Sequence, residues 1–108
     1  MIKTTITAED FTDFMEECGD SARYVSASLH NVGGGCSMQM EMTEPVFRVC
    51  SSGKRYEYHS NDNVIEINLS GVNEITQLET DEDDIFPAFT LQYMNGDIFS
   101  MWTCPLVS

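Results

Sequence analysis

The stretch Ala88–Cys104, AFTLQYMNGDIFSMWTC, carries the strongest fold signal in the sequence. Polar and apolar residues alternate on both sides of Asn95-Gly96, a dipeptide typical of a two-residue type I′ turn between antiparallel strands. The residues that such a turn would pair on one aromatic face are Tyr93 with Ile98, Leu91 with Ser100 and Phe89 with Trp102. The sequence therefore predicts that the chain ends in a β-hairpin.

The N-terminal part of the chain predicts one amphipathic helix. Thr7 is a favourable N-cap, Asp10 occupies the capping-box position, and Gly19 is a typical residue just after a helix end. The apolar residues that repeat at helical spacing are Phe11, Phe14, Met15 and Cys18. In the predicted hairpin, Phe99 and Met101 lie on the face opposite the aromatic one and need cover, which this helix could provide.

Period-two alternation predicts further strands between the helix and the hairpin. It is clearest in the segment 36–42, where Cys36, Met38, Met40 and Met42 alternate with polar residues. Shorter strands are predicted in the segments 23–30, 46–50, 54–59 and 64–69, while 71–78 fits a helix or a strand. The expected fold is one α+β domain, residues 1–108, with an N-terminal helix on a twisted, meander-like antiparallel sheet or partial barrel of about five to seven strands.

The charge of the chain limits its partners. It has 18 acidic residues against 5 basic ones and a formal net charge of -13. Such a chain repels nucleic acid and anionic membranes, which are bound through Lys and Arg, and it attracts basic surfaces. No apolar run at the N-terminus resembles a signal peptide, and no segment approaches membrane-spanning length. A cytoplasmic location is therefore predicted, in host cytoplasm if the chain is phage-encoded.

The sequence contains no complete catalytic or metal-binding motif. A calcium loop beginning at Asp81 would require a glycine where Phe86 stands. Neither His30 near Cys36 nor Cys50 near His59 has the spacing of a zinc site. We therefore expect no metal, no cofactor and no enzymatic activity.

The acidity leads to a functional hypothesis: a non-enzymatic inhibitor that docks on the basic, nucleic-acid-binding surface of another protein or ribonucleoprotein. Carboxylates spaced like phosphates would meet the same Lys and Arg side chains, and phage inhibitors of restriction or CRISPR systems are of this short, acidic type. The predicted partner-binding residues are Asp13, Glu16, Glu17, Asp20, Glu79, Asp81, Glu82, Asp83 and Asp84. These carboxylates would act together only if the helix and the acidic run at 79–84 share one face.

Three alternatives remain open at this stage. A structural or assembly module could bind through a sheet edge or an aromatic surface, as a homodimer for example, with Phe99, Met101, Tyr56 or Tyr58 at the interface. The acidic surface could equally serve only to keep the protein soluble. A small enzyme is the third reading and would require a buried cavity lined by Cys or His.

Overall fold

The computed structural model describes residues 2–31, 37–50, 54–79 and 86–105. It has one helix and nine strands in these ranges, so the α+β class with an N-terminal helix on antiparallel sheet is confirmed. The elements are β1 Ile2–Ile6, α1 Ala8–Cys18, a 3₁₀ turn Gly19–Ser21, β2 Tyr24–His30, β3 Ser37–Thr43, β4 Val46–Cys50, β5 Arg55–Ser60, β6 Asn63–Asn68, β7 Val72–Glu79, β8 Ala88–Tyr93 and β9 Ile98–Cys104.

The strands form two antiparallel sheets. The larger has the order β1-β7-β8-β9-β2-β3 and is not closed, and the smaller has the order β4-β5-β6. The runs β7-β8-β9 and β4-β5-β6 connect neighbouring strands in sequence order, and β2-β3 is a hairpin. The prediction of about five to seven strands in one sheet is wrong, because the described part of the chain forms nine strands in two sheets. The pairings of β1 with β7 and of β2 with β9 join segments far apart in sequence and were not predicted. The ambiguous segment at 71–78 is a strand, with an irregularity between Val72 and Glu74.

Helix α1 packs between the two sheets. Thr7 Oγ1 accepts a hydrogen bond from the backbone N–H of Asp10, and the Asp10 carboxylate accepts one from the N–H of Thr7, which completes the predicted capping box. Phe11 is fully buried and meets Phe89 of the larger sheet and Tyr56 of the smaller sheet edge-on, with ring centroids 5.0 and 6.4 Å apart. The aromatic contacts of one helical residue thus join both sheets.

Gly19 ends the helix for a reason that the sequence did not reveal. It has a right-handed backbone, with φ of -57°, so it is not the left-handed stop that glycine usually supplies. A Cβ at this position would lie 2.5 Å from Cζ of Phe47. Its carbonyl oxygen accepts a hydrogen bond of 3.0 Å from the buried hydroxyl of Tyr58. Glycine is therefore needed here for close packing of the helix end on the smaller sheet.

Strands β8 and β9 pair one residue away from the predicted register. The observed pairs are Phe89 with Met101, Thr90 with Ser100, Leu91 with Phe99 and Gln92 with Ile98. At the turn, Gly96 has a positive φ but Asn95 does not, so the type I′ conformation is absent. Three residues instead separate Tyr93 from Asp97, whose carbonyl accepts the Tyr93 N–H.

A shift of one residue moves every side chain of β9 to the other face of the sheet. Phe89, Leu91, Phe99 and Met101 therefore share the buried face toward α1, and the predicted placement of Trp102 on that face is wrong. The buried core also includes Val25, Met42, Tyr56, Tyr58, Ile65, Ile67 and Ile75.

Candidate ligand cleft

A cleft of about 340 Å³ opens between the two sheets, a volume at the lower end of the range for small-molecule sites. We call it the inter-sheet cleft. Strands β2, β3 and β9 of the larger sheet form one wall, and β6 of the smaller sheet forms the other. Its apolar lining consists of Ala27, Leu29, Met38, Met40, Val64, Ile65 and Phe99.

The strand register explains why these apolar side chains meet. Leu29 of β2 pairs with Met38 on one side and with Phe99 on the other, so one continuous row crosses three strands. Side chains alternate along a strand, which places Met40 on the same face as Met38. Two residues of the mouth remain open to solvent: Met38 is 65% exposed and Val64 is 45% exposed. An open apolar cleft edged by such side chains is typical of a ligand site.

The rim of the inter-sheet cleft is polar and acidic. The Tyr93 hydroxyl donates a 2.6 Å hydrogen bond to the backbone oxygen of Asn68, which ties the end of β8 to the end of β6. The pKa of Tyr93 is raised, chiefly because burial removes water from the hydroxyl. Glu66 and Asp97 also line the cleft, and among its described lining residues there is no Lys, Arg or His. The rim therefore disfavours anionic groups.

The predicted acidic partner site does not coincide with this cleft. Asp13, Glu16, Glu17 and Asp20 are exposed on or just after α1, and Glu79 is exposed at the end of β7. None of these five lines the cleft. Four of the predicted residues lie outside the described ranges: Asp81, Glu82, Asp83 and Asp84. The prediction that they share one face with the acidic residues of α1 therefore stays a prediction.

The two histidines are also placed away from the cleft. His30 is exposed at the end of β2, on the other side of the larger sheet. His59 Nε2 lies 2.8 Å from the Glu57 carboxylate, and this hydrogen bond is the main reason that the pKa of Glu57 is lowered. Of the proposed zinc partners, Cys36 lies outside the described residues.

The predicted aromatic interface is wrong. Tyr56, Tyr58, Met101 and Phe99 are between 0 and 8% exposed, so these side chains form the core and offer no surface to a partner. The one-residue shift of β9 explains why Phe99 and Met101 lie on the buried face together with Phe89 and Leu91. Tyr56 is buried against Phe11 of α1, and Tyr58 is buried against Phe47 of the neighbouring strand β4.

Solved structures of other proteins share this fold. The chain matches holo-PhuS, a heme-binding protein from Pseudomonas aeruginosa, with a TM-score of 0.62 and 12% identity. The match covers 94% of this chain and 29% of PhuS. Apo-PhuS gives a TM-score of 0.61. ChuX matches with a TM-score of 0.56 and 10% identity, over 93% of this chain and 61% of ChuX.

These matches establish a shared fold. The chain spans less than a third of PhuS and less than two thirds of ChuX. No family model matches the chain, and no curated protein matches it.

The comparison corrects the function predicted from charge. A fold shared with a heme-binding protein contradicts the hypothesis of a nucleic-acid mimic of the anti-CRISPR or anti-restriction type. That hypothesis depended on an acidic surface, which many soluble proteins possess without such a role. Among the described residues, no helix is long and apolar enough to cross a membrane. The cytoplasmic location remains a prediction.

The inter-sheet cleft combines an apolar wall with two sulfur atoms. Leu29, Ile65 and Phe99 form the wall. The thioethers of Met38 and Met40 are soft ligands of a kind that binds heme iron in other proteins. The Met38-Gln39-Met40 alternation was the available sequence signal, and it predicted only core packing.

Proposed function

We propose that this chain binds heme, or a similarly flat apolar ligand, in the inter-sheet cleft and serves heme binding or transfer. The observation that carries the proposal is an open apolar cleft whose mouth exposes the large side chain of Met38. The fold likeness to PhuS supports heme as the first ligand to test.

Each group of cleft residues has a distinct part in this proposal. Leu29, Ile65 and Phe99 bind the ring by excluding water from its apolar faces, at about 25 cal/mol per Å² of apolar surface buried. Met38 or Met40 would hold the iron, and heme when bound supplies a metal centre that can be carried or passed on. Since the cleft mouth is open, the ligand can enter and leave without unfolding of either sheet.

The acidic rim leads to a specific expectation about ligand charge. Glu66 and Asp97 repel the heme carboxylates, and the net charge of -13 adds to this repulsion. Heme dimethyl ester, which lacks these charges, should bind more tightly than heme. Raising the salt concentration should narrow the difference, because salt screens exposed charges.

The test is an absorbance titration of the purified chain with ferric heme, comparing two substitutions of exposed methionines. Met38→Glu puts a charge at the cleft mouth and should weaken binding by roughly tenfold or more. Met94→Glu is the matched control, because Met94 is 76% exposed and lies outside the cleft lining. An equal loss in both variants, or no saturable binding by the parent chain, would contradict the proposal.

A third variant separates iron coordination from apolar contact. Met38→Leu keeps the apolar volume but removes the sulfur. If Met38 binds iron, this change should alter the spectrum of the ferric complex while iron-free protoporphyrin still binds as before. An unchanged spectrum in both Met38→Leu and Met40→Leu would exclude thioether coordination and leave only the apolar contacts.

A further inference from the structure

The outer side of the larger sheet, opposite α1, carries an uninterrupted row of hydroxyl and amide side chains. Strand register connects the members of this row in the order Thr5, Thr76, Thr90, Ser100, Ser28 and Gln39. The hydroxyls of Thr90 and Ser100 lie 3.4 Å apart at its centre. We call this side of the six strands of the larger sheet the hydroxyl face.

The hydroxyl face is nearly free of charge in a chain of net charge -13. On this side, β8, β9 and β2 carry no Asp, Glu, Lys or Arg along their described lengths. The charged residues of the hydroxyl face lie on its other strands: Lys3 on β1, Glu41 on β3 and Glu74 on β7. Charge depletion at the centre of a surface patch, with charges at its rim, is typical of a protein interface.

An aromatic pair at one end strengthens the resemblance to an interface. Trp102 is 37% exposed, and its ring lies 5.1 Å from that of Tyr24 on the neighbouring strand. Trp and Tyr are enriched among the interface residues that contribute most to binding energy. An open cavity of about 320 Å³ lies over this side of the sheet, lined by Trp102, Ser26, Ser28, Thr90 and Ser100.

We propose that the hydroxyl face docks a second copy of this chain about a two-fold axis. Charge favours this occupant, because two chains of net charge -13 can meet here without bringing carboxylates together. A basic protein would be attracted to the acidic surfaces elsewhere, and nucleic acid would be repelled.

The shape of the face also suits a second copy. A twisted sheet is saddle-shaped, concave along one diagonal and convex along the other. A copy related by a two-fold axis nearly parallel to the strands therefore places its convex diagonal in the concave one, as in aligned sheet packing. A two-fold axis makes both contacts equivalent.

The area of the face sets the expected strength of the dimer. With about 4.8 Å between strands and about 3.3 Å per residue, the six strands cover roughly 500 Å² per copy. The total of roughly 1,000 Å² is near the lower limit for a specific interface. Interfaces of this size are typical of weak association, so the dimer should form reversibly with concentration.

The test is sedimentation velocity over a wide range of chain concentration, at low and high salt. The parent chain should dimerise, and salt should strengthen the dimer because it screens the net charge. Ser100→Glu adds two carboxylates at the centre of the symmetric contact and should raise the dissociation constant roughly tenfold or more. Asn63→Glu, exposed on β6 of the other sheet, is the matched control and should change it less than about twofold.

Trp102→Ala provides a second variant that adds no charge and should also weaken the dimer. Circular dichroism establishes that each variant is folded. A chain that stays monomeric at all concentrations and salt conditions would overturn the proposal, and so would a dimer that Ser100→Glu leaves intact. The inter-sheet cleft lies on the opposite side of the sheet, so failure of heme binding and failure of dimerisation are separate results.

Discussion

Replacement of Gly19 by alanine tests how the end of α1 packs on the smaller sheet. The added Cβ would lie 2.5, 2.7 and 2.8 Å from three ring atoms of Phe47, whereas carbon atoms in contact prefer about 3.5–4.0 Å. The ring has little room to retreat, because it is stacked on Tyr56 at 5.8 Å and meets Tyr58 at 5.0 Å.

Two opposing effects set the change in unfolding free energy that Gly19→Ala causes. Overpacking in such a site costs about 1–3 kcal/mol of unfolding free energy. Alanine offsets about 0.4–1 kcal/mol of this by restricting the unfolded chain, since the right-handed backbone of Gly19 is compatible with a side chain. We expect a net loss of about 1–2 kcal/mol, which lowers the midpoint of urea unfolding by roughly 1 M.

A double-mutant cycle identifies the cause of this loss. Phe47→Leu removes the ring atoms that meet the new Cβ, so Gly19→Ala should be close to neutral in that background, with a coupling of at least about 1 kcal/mol. Gly71→Ala is the control: it is destabilising because of a φ of +80°, but no atom lies within 4 Å of its Cβ. The loss of unfolding free energy caused by Gly71→Ala should be the same with and without Phe47→Leu. Equal stability of Gly19→Ala and the parent would refute the packing argument.

Two further predictions concern the helix cap and the buried tyrosine. Thr7→Ala removes the hydroxyl that accepts the Asp10 N–H and should cost about 1 kcal/mol in urea unfolding; an unchanged midpoint would mean that the cap contributes nothing. The pKa of Tyr58 is raised, first by loss of water around its hydroxyl and then by Asp20 and Cys18. Above about pH 10 the unfolded chain therefore loses this proton while the folded chain keeps it, so stability should fall by up to about 1.4 kcal/mol per pH unit. Tyr58→Phe should flatten that alkaline decline, and an identical slope in both proteins would contradict the assignment.

Local features of the fold were predictable from sequence because their physics is local. The capping box needs only Thr7 and Asp10, and the apolar stripe of α1 needs only helical spacing. The inner faces of β2 and β6 followed from alternation for the same reason.

The register of β9 was not predictable, because two alternations compete within it. Ile98 and Trp102 form one apolar set, and Phe99 and Met101 form the other. The Asn95-Gly96 signal favoured the first, whereas in the structure Phe99 and Met101 belong to the buried core that also contains Phe11 and Phe89. Tertiary contacts therefore decided a choice that the turn residues alone predicted wrongly.

The candidate site was missed because it is built from distant segments. Its walls come from β2, β3 and β9 on one side and β6 on the other, and no sequence pattern indicates that these sheets face each other. The exposed carboxylates dominated the sequence instead. Charge at exposed positions is compatible with many functions. The functional hypothesis based on charge, a nucleic-acid mimic, was therefore wrong.

The most direct test of the account is NMR mapping of the heme site. The isotope-labelled chain would be titrated with a diamagnetic metal porphyrin that carries the heme side chains, and amide and methyl signals would be followed. Heme binding in the inter-sheet cleft should give saturable shifts concentrated at Leu29, Met38, Met40, Ile65 and Phe99, with the exposed face of α1 unaffected. Absence of any saturable shift, or shifts confined to Asp13, Glu16 and Glu17, would contradict the assignment of the inter-sheet cleft as the binding site.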